Sequence, residues 1–168
     1  PTHTLPSFAV QHFGMSTVRG MFEGSTGKVV IDRAAKTGSV EVKIPTAGLY
    51  TGYAKPIGQG RTRDEHLKAA DFFNVAEFPD MVYKSTKLVF AGDKLDSVEG
   101  TLTLLGVTKP VTLKVKFNGF GKGMDGAPRI GFAATGAIKR SDFGMKTFIP
   151  AVGDDVALEI DLELARKP

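Results

Sequence analysis

The 168 residues contain no cysteine and no tryptophan, and only three histidines. Without cysteine there is neither a disulfide framework nor thiol chemistry, an absence that leaves the compartment open. His3, His12 and His66 are not spaced as His-x-x-His or Glu-x-x-His, so no metal site is expected. No apolar run approaches the length of a membrane-spanning helix. No serine stands in a Gly-x-Ser-x-Gly elbow, and no glycine-rich phosphate loop follows a strand; Gly58 and Gly60 read as loop glycines. The opening PTHTLPS lacks the charged and apolar regions of a signal peptide. The net charge is +4, but the basic residues are dispersed along polar strand faces, as at Lys114 and Lys116. A nucleic-acid footprint would need clustering, so none is expected.

What is present is alternation. In VEGTLTLLGVTKPVTLKVKF (98–117), Val98, Gly100, Leu102 and Leu104 alternate with Glu99, Thr101 and Thr103. Beyond a turn, Val111, Leu113, Val115 and Phe117 alternate with Thr112, Lys114 and Lys116. Period-two alternation marks strands with one apolar and one wet face. With Leu105-Gly106 as a two-residue turn, Leu104 faces Val107, Gly100 faces Val111 and Val98 faces Leu113, so both apolar rows share a side. Lys109 falls in the apolar row opposite Leu102. It must lie near a rim, or Pro110 marks a bulge there.

The same rhythm recurs along the chain. Phe8, Val10 and His12 form a first strand that ends near Gly14. Val18 to Asp32 reads as extended segments broken at Gly24 and Gly27, and Val40, Val42 and Ile44 as a strand closed by Pro45. Ala47 to Thr62 keeps no period and reads as a loop. RDEHLKAADFFNVAEFPD breaks the strand rhythm. It predicts a short helix over 62–70, then an apolar corner of Phe72, Phe73 and Phe78 before Pro79. Strands resume with Met81, Tyr83 and Ser85 on one face. Later Ile130, Phe132, Ala134, Gly136 and Ile138 share a side, and finally Val156, Leu158, Ile160, Leu162 and Leu164.

About eight strands and one short helix in a chain of this length predict a single domain, residues 1–168, folded as an all-β antiparallel barrel or sandwich. Small inward residues at Gly100, Ala134 and Gly136 lean toward a hollow bore, although they would equally let strands bend. Outward positions are expected at Glu99, Lys114, Lys116, Glu159 and Asp161. His12 reads as a hydrogen-bonded histidine at the edge of the core or cavity, and His66 as a helix residue touching the corner. Arg63, Asp64, Asp71, Arg140 and Asp142 could form a reactive constellation. The simpler reading is that they tie a helix or turn to a barrel end by caps and ion pairs.

Taken in order, FAVQHFGMSTVRGMF (8–22), RDEHLKAADFFNVAEFPD (63–80), KST (84–86), GTLTLLGVTKPVTL (100–113), RSDFG (140–144) and the alternating last strand resemble the YceI-like family of polyisoprenoid-binding proteins over nearly the whole chain. Two features depart from that pattern: the chain begins at Pro1, where the family has an earlier short strand, and the loop from Thr51 to Arg63 is longer. The resemblance implies a lipocalin-like barrel whose apolar bore holds a long isoprenoid or similar lipid. It also implies a periplasmic or secreted location, reached through a signal peptide that this sequence does not carry. Candidate lipid-binding residues are then Phe8, Val10, His12, Phe22, Val42, Ile44, Leu67, Phe72, Phe73, Met81, Tyr83, Leu102, Leu104, Leu113, Val115, Phe117, Phe132, Ile138, Phe143, Leu158 and Ile160.

The expected function is carriage or sequestration of an amphiphilic lipid, polyisoprenoid or isoprenoid-quinone-like, without catalysis. No catalytic residue, metal or cofactor is called for beyond a bound isoprenoid or other long-chain lipid. The expected partner is that lipid, with no nucleic acid and no membrane span; a homodimer is left open. The loop from Ala47 to Thr62, with the helix and corner behind it, is expected to govern the way in, the alternative being that the helix plugs a closed end. Two alternatives to the carrier stand beside it: a structural or stress-response protein with a filled barrel, and a hydrolase acting on a lipid-like substrate.

Overall fold

The computed structural model describes residues 4–57 and 60–165; His3 and Gly58 lie outside the described residues. The elements are β1 (Leu5–His12), β2 (Ser16–Phe22), β3 (Thr26–Asp32), β4 (Thr37–Pro45), a 3₁₀ turn (Thr46–Gly48), β5 (Leu49–Tyr50), β6 (Pro56–Ile57) and β7 (Arg61–Thr62). Then come α1 (Arg63–Lys68), β8 (Asp80–Ala91), β9 (Lys94–Leu104), β10 (Val107–Lys122), β11 (Pro128–Lys139), a second 3₁₀ turn (Arg140–Phe143) and β12 (Val152–Ala165).

Ten of the strands form one antiparallel sheet in the order β3-β4-β8-β9-β10-β11-β12-β1-β2-β5. Its two ends are neighbours along the chain. β2 leads into β3 across Glu23–Ser25, and β4 into β5 across the 3₁₀ turn. Each pair is one strand bent at the same level, where Gly24 takes φ +76° and the Glu23 N–H donates to the Gly48 carbonyl at 2.9 Å. Counted around the girth there are eight wall positions, and the sheet curls into a barrel. Above the bend it is less complete. Among the described residues β3 pairs only with β4, and the β4–β8 ladder stops at Glu41–Lys84, beyond which the Val40 N–H donates to Ser85 Oγ at 2.8 Å.

The register of the central hairpin follows from alternation. β9 and β10 pair Leu104 with Val107, Gly100 with Val111 and Val98 with Leu113. Leu105 and Gly106 take φ 51° and 72°, the mirror-image turn whose twist suits a two-residue connection. Lys109 stands opposite Leu102 without a bulge and is exposed near the hairpin end. Gly27 does not break the chain. It lies inside β3, where a Cβ would collide with the carbonyl of Glu41 across the ladder, so glycine is needed there for close approach. The stretch expected as a plain loop also carries structure: Leu49 and Tyr50 pair with the end of β2, and β6 with β7.

The helix starts where its cap dictates. Thr62 Oγ1 accepts from the Glu65 N–H at 3.2 Å, and Glu65 Oε2 accepts from the Thr62 N–H at 2.7 Å, a reciprocal capping box. The Thr62 N–H, and the Thr62 hydroxyl donating to the same oxygen at 2.9 Å, hold the Glu65 carboxyl below its ordinary value. Asp64 accepts from the N–H of Thr51 at 3.1 Å, pinning the preceding loop to the helix. Behind α1, Phe72, Phe73, Leu49 and Phe22 are buried together, with Phe22 and Phe73 edge to face at 5.4 Å.

Tyr83 lies across the inside of the wall. Its hydroxyl is within 3.0 Å of the Val98 carbonyl and 3.2 Å of the Val111 carbonyl, and its ring fills the place a Cβ of Gly100 would take. An unfolded tyrosine ionises near pH 10, whereas burial pushes the Tyr83 phenol up to about 12. Its contribution is therefore complete below pH 10 and falls as pH rises from 10 to 12, by on the order of 2–3 kcal/mol in all. Tyr83→Phe should cost about 1 kcal/mol near neutrality. Urea denaturation at stepped pH should then show the variant losing less stability than the parent between pH 10 and 12. Parallel curves for the two proteins would show that the phenol is not coupled to folding.

Candidate ligand-binding cavity

Each long strand turns one row of side chains inward, and these rows do not meet in the middle. On β8, β9 and β10, Met81, Tyr83, Val98, Leu102, Leu104 and Val111 are buried against one another. On β3, β4 and β12, Val29, Ile31, Val40, Val42, Leu158 and Ile160 remain only half-buried, because what they face is a cavity of about 210 Å³. Its lining runs from Phe72 and Phe73 at the bend end to Leu164 and Thr4 near the opposite rim. That rim carries the turns after β3, β8 and β10.

Among the described residues, four polar side chains border the cavity, and each is turned into the wall. Ser7 Oγ donates to the Glu159 carbonyl at 2.6 Å and Thr4 Oγ1 to the Glu163 carbonyl at 3.4 Å. Tyr83 is held by the two carbonyls already described. Arg140, 4% exposed, donates from Nε to Gly153 and from Nη2 to Val152, both at 2.8 Å, and from Nη1 to Met145 at 3.1 Å. Burial pulls its guanidinium below the ordinary value, and the nearby Asp154 carboxylate opposes this. Asp154 in turn is held low by the Ser141 hydroxyl and N–H, each at 2.8 Å.

All the candidates named from the sequence except His12, Phe117 and Phe143 line this cavity. His12 sits half-buried beside Phe13 where the β1–β12 register shifts, at the bend end and off the lining. Phe143 is 2% exposed and packed into the core by the second 3₁₀ turn. Phe117 was expected to point inward but is 43% exposed. It pairs with Phe132 on the inner face, but the β9–β10 ladder ends at Lys114, so no β9 residue covers its other flank and the ring stays open to solvent. Glu99, Lys114, Lys116, Glu159 and Asp161 are exposed as expected.

Other lining residues were not among the candidates. Val29, Ile31 and Leu95 escaped because their short or bulged strands carry weak alternation. Of the small residues taken to widen the bore, Ala134 lines it, but Gly100 makes room for the Tyr83 ring and Gly136 for the Leu113 side chain, which a Cβ at either position would crowd. The charged residues near the barrel end do not converge. Arg63 lies 5.0 Å over the Tyr53 ring, and Asp71 pairs with His66 Nε2 at 2.8 Å. Asp64 and Arg140 bind backbone, and Asp142 is exposed. His66 packs edge-on against Phe72, at the corner where it was expected.

The sequence pattern of the YceI-like domain matches residues 1–164. The chain belongs to the YceI-like family. It is 39% identical over 162 residues to Protein YceI of Salmonella arizonae, covering 96% of this chain and 81% of that relative, and the same holds for Salmonella enteritidis. The crystal structure of the Campylobacter jejuni YceI protein shares 32% identity with a TM-score of 0.75, covering 94% of this chain and 90% of that one. A polyisoprenoid binding domain from Saccharophagus degradans has the same fold at 17% identity and TM-score 0.67, covering 98% and 94%.

If the cavity is the binding volume, filling it should separate binding from folding. Val42→Phe with Leu158→Phe places two rings into space that half-buried aliphatics now border. Displacing about two methylenes of ligand at roughly 0.8 kcal/mol each should weaken long-chain lipid binding on the order of tenfold. Thermal denaturation should show a melting temperature no lower than that of the parent. Undiminished binding would place the ligand elsewhere.

Proposed function

We propose that this YceI-like protein binds an amphiphilic lipid with a long apolar tail, of polyisoprenoid or isoprenoid-quinone type, and carries or sequesters it without catalysis. The observation that carries this reading is the wall itself: a cavity bordered by aliphatic and aromatic carbon, whose four polar neighbours are bonded to backbone carbonyls. Such a wall suits a tail and offers little to a polar head, so the head stays at the rim. Each buried methylene is worth about 0.8 kcal/mol, and an isoprene unit brings about five carbons. A few units therefore exceed the roughly 4–15 kcal/mol cost of association. The Saccharophagus degradans domain of this fold is described as polyisoprenoid-binding, which makes that class the first to try.

A filled barrel with a purely structural role would leave no such cavity. A hydrolase would need a nucleophile and base facing the ligand, whereas the His66–Asp71 pair lies off the lining. The buried aromatic corner serves as the floor, and the ligand enters at the opposite rim. A periplasmic or secreted location accompanies this reading. The test is organic extraction of the purified protein followed by mass spectrometry, then reloading of the stripped protein with geranylgeraniol. A long-chain lipid in near-stoichiometric amount, or uptake on reloading, is expected. An empty extract together with no uptake would overturn the carrier reading.

A further inference from the structure

Large apolar side chains are exposed at both ends of the barrel. At the bend end Phe13, Met15, Phe148 and Ile149 are exposed, and the Phe148 ring lies 6.2 Å from that of Phe72 in the buried floor. At the other end the β10–β11 hairpin overhangs the rim. Its ladder continues to Lys122 and Pro128, eight residues past the last β9 partner at Lys114 (122 − 114). On this overhang Phe117 is 43% exposed, Phe120 75% and Met124 fully.

The overhang is joined to the cavity. The Phe120 ring lies 4.9 Å from that of Phe117, which lies 5.7 Å from that of Phe132, and Phe132 is buried in the lining. One line of aromatic rings thus leads from the cavity wall to the outside. Lys116 and Lys122 are exposed on the same hairpin, and among the described residues neither has an ion-pair partner. Aromatic and thioether side chains flanked by lysines are the composition that settles into the headgroup region of an anionic bilayer.

We propose that the β10–β11 overhang docks on a bilayer bearing anionic headgroups, so that a lipid tail passes along Phe120, Phe117 and Phe132 between membrane and cavity. The reading rests on the carrier function: a long-tailed lipid is scarcely present in free solution, so a cavity that takes one fills from a lipid phase. At the bend end Phe148 abuts Phe72 in the packed floor, and Met15, which is off the lining, serves as the control.

The test is flotation with vesicles of phosphatidylcholine containing about 30% phosphatidylglycerol, an anionic fraction within the range that attracts basic segments. Phe120→Ser with Met124→Ser should lower the floated fraction at least fivefold, while Met15→Ser floats like the parent. Neither substituted position lines the cavity, so binding of the soluble dye 1-anilinonaphthalene-8-sulfonate should be unchanged in both. Failure of the parent to float, or flotation of the double variant at the parent's level, overturns the proposal. So does loss of a dimer on light scattering with flotation unmoved, which would assign the patch to a second copy of the chain. The carrier reading fails separately, if the stripped parent takes up no lipid while flotation still depends on Phe120 and Met124.

Discussion

A ring of eight strands sets a bore that side chains can just fill or can leave open for one small ligand, and the aliphatic rows here leave it open. In this protein the rest of the architecture answers that constraint. At the bend end, where Phe22, Phe72, Phe73 and Leu49 reach inward, the width is filled and the floor is dry and packed. Farther up, where β3, β4 and β12 offer only aliphatics, the rows stay half-buried and the space between them stays empty. Atoms lining such a space lack partners on one side and forgo the dispersion contacts a packed core would give. An apolar guest supplies those contacts, so occupancy and stability are linked by mass action.

The polar groups show the complementary economy. Arg140, Tyr83, Ser7 and Thr4 each border the cavity, and each fastens one piece of backbone to another. Arg140 binds the second 3₁₀ turn to the start of β12, and Tyr83 spans β8, β9 and β10. A wall organised in this way discriminates by length, girth and shape. For a tail in such a wall, one methylene more or less is worth about 0.8 kcal/mol, roughly a fourfold change in affinity.

How much of this was legible in the sequence depended on whether a residue's neighbours were also legible. The inward rows of β9, β10 and β12 could be read because both members of each pair alternate, and Val98–Leu113 and Gly100–Val111 stand as the arithmetic of a two-residue turn requires. Phe117 continues the same alternation but has no β9 residue beside it, and periodicity carries no record of where a partner strand stops. Glycine was the other blind spot. Gly100, Gly136 and Gly27 look alike in sequence, yet they accept a tyrosine ring, a leucine methyl and a close backbone carbonyl, depending on what lies across the ladder. The short helix was visible from its composition, whereas its capping box is fixed by two residues, Thr62 and Glu65, at a spacing that frames it.

The incomplete ladder above the bend has its own consequence. β3 is held from one flank, β4 lets go of β8 halfway along, and a single serine hydroxyl carries the next link. From β8 round to β1 the wall is laddered without a gap, stiff because spreading it would part whole rows of backbone bonds. The β3–β4 arc is the wall's gusset. It can ease outward at little cost in ladder bonds, so the girth of the bore is set less firmly on this side than on any other.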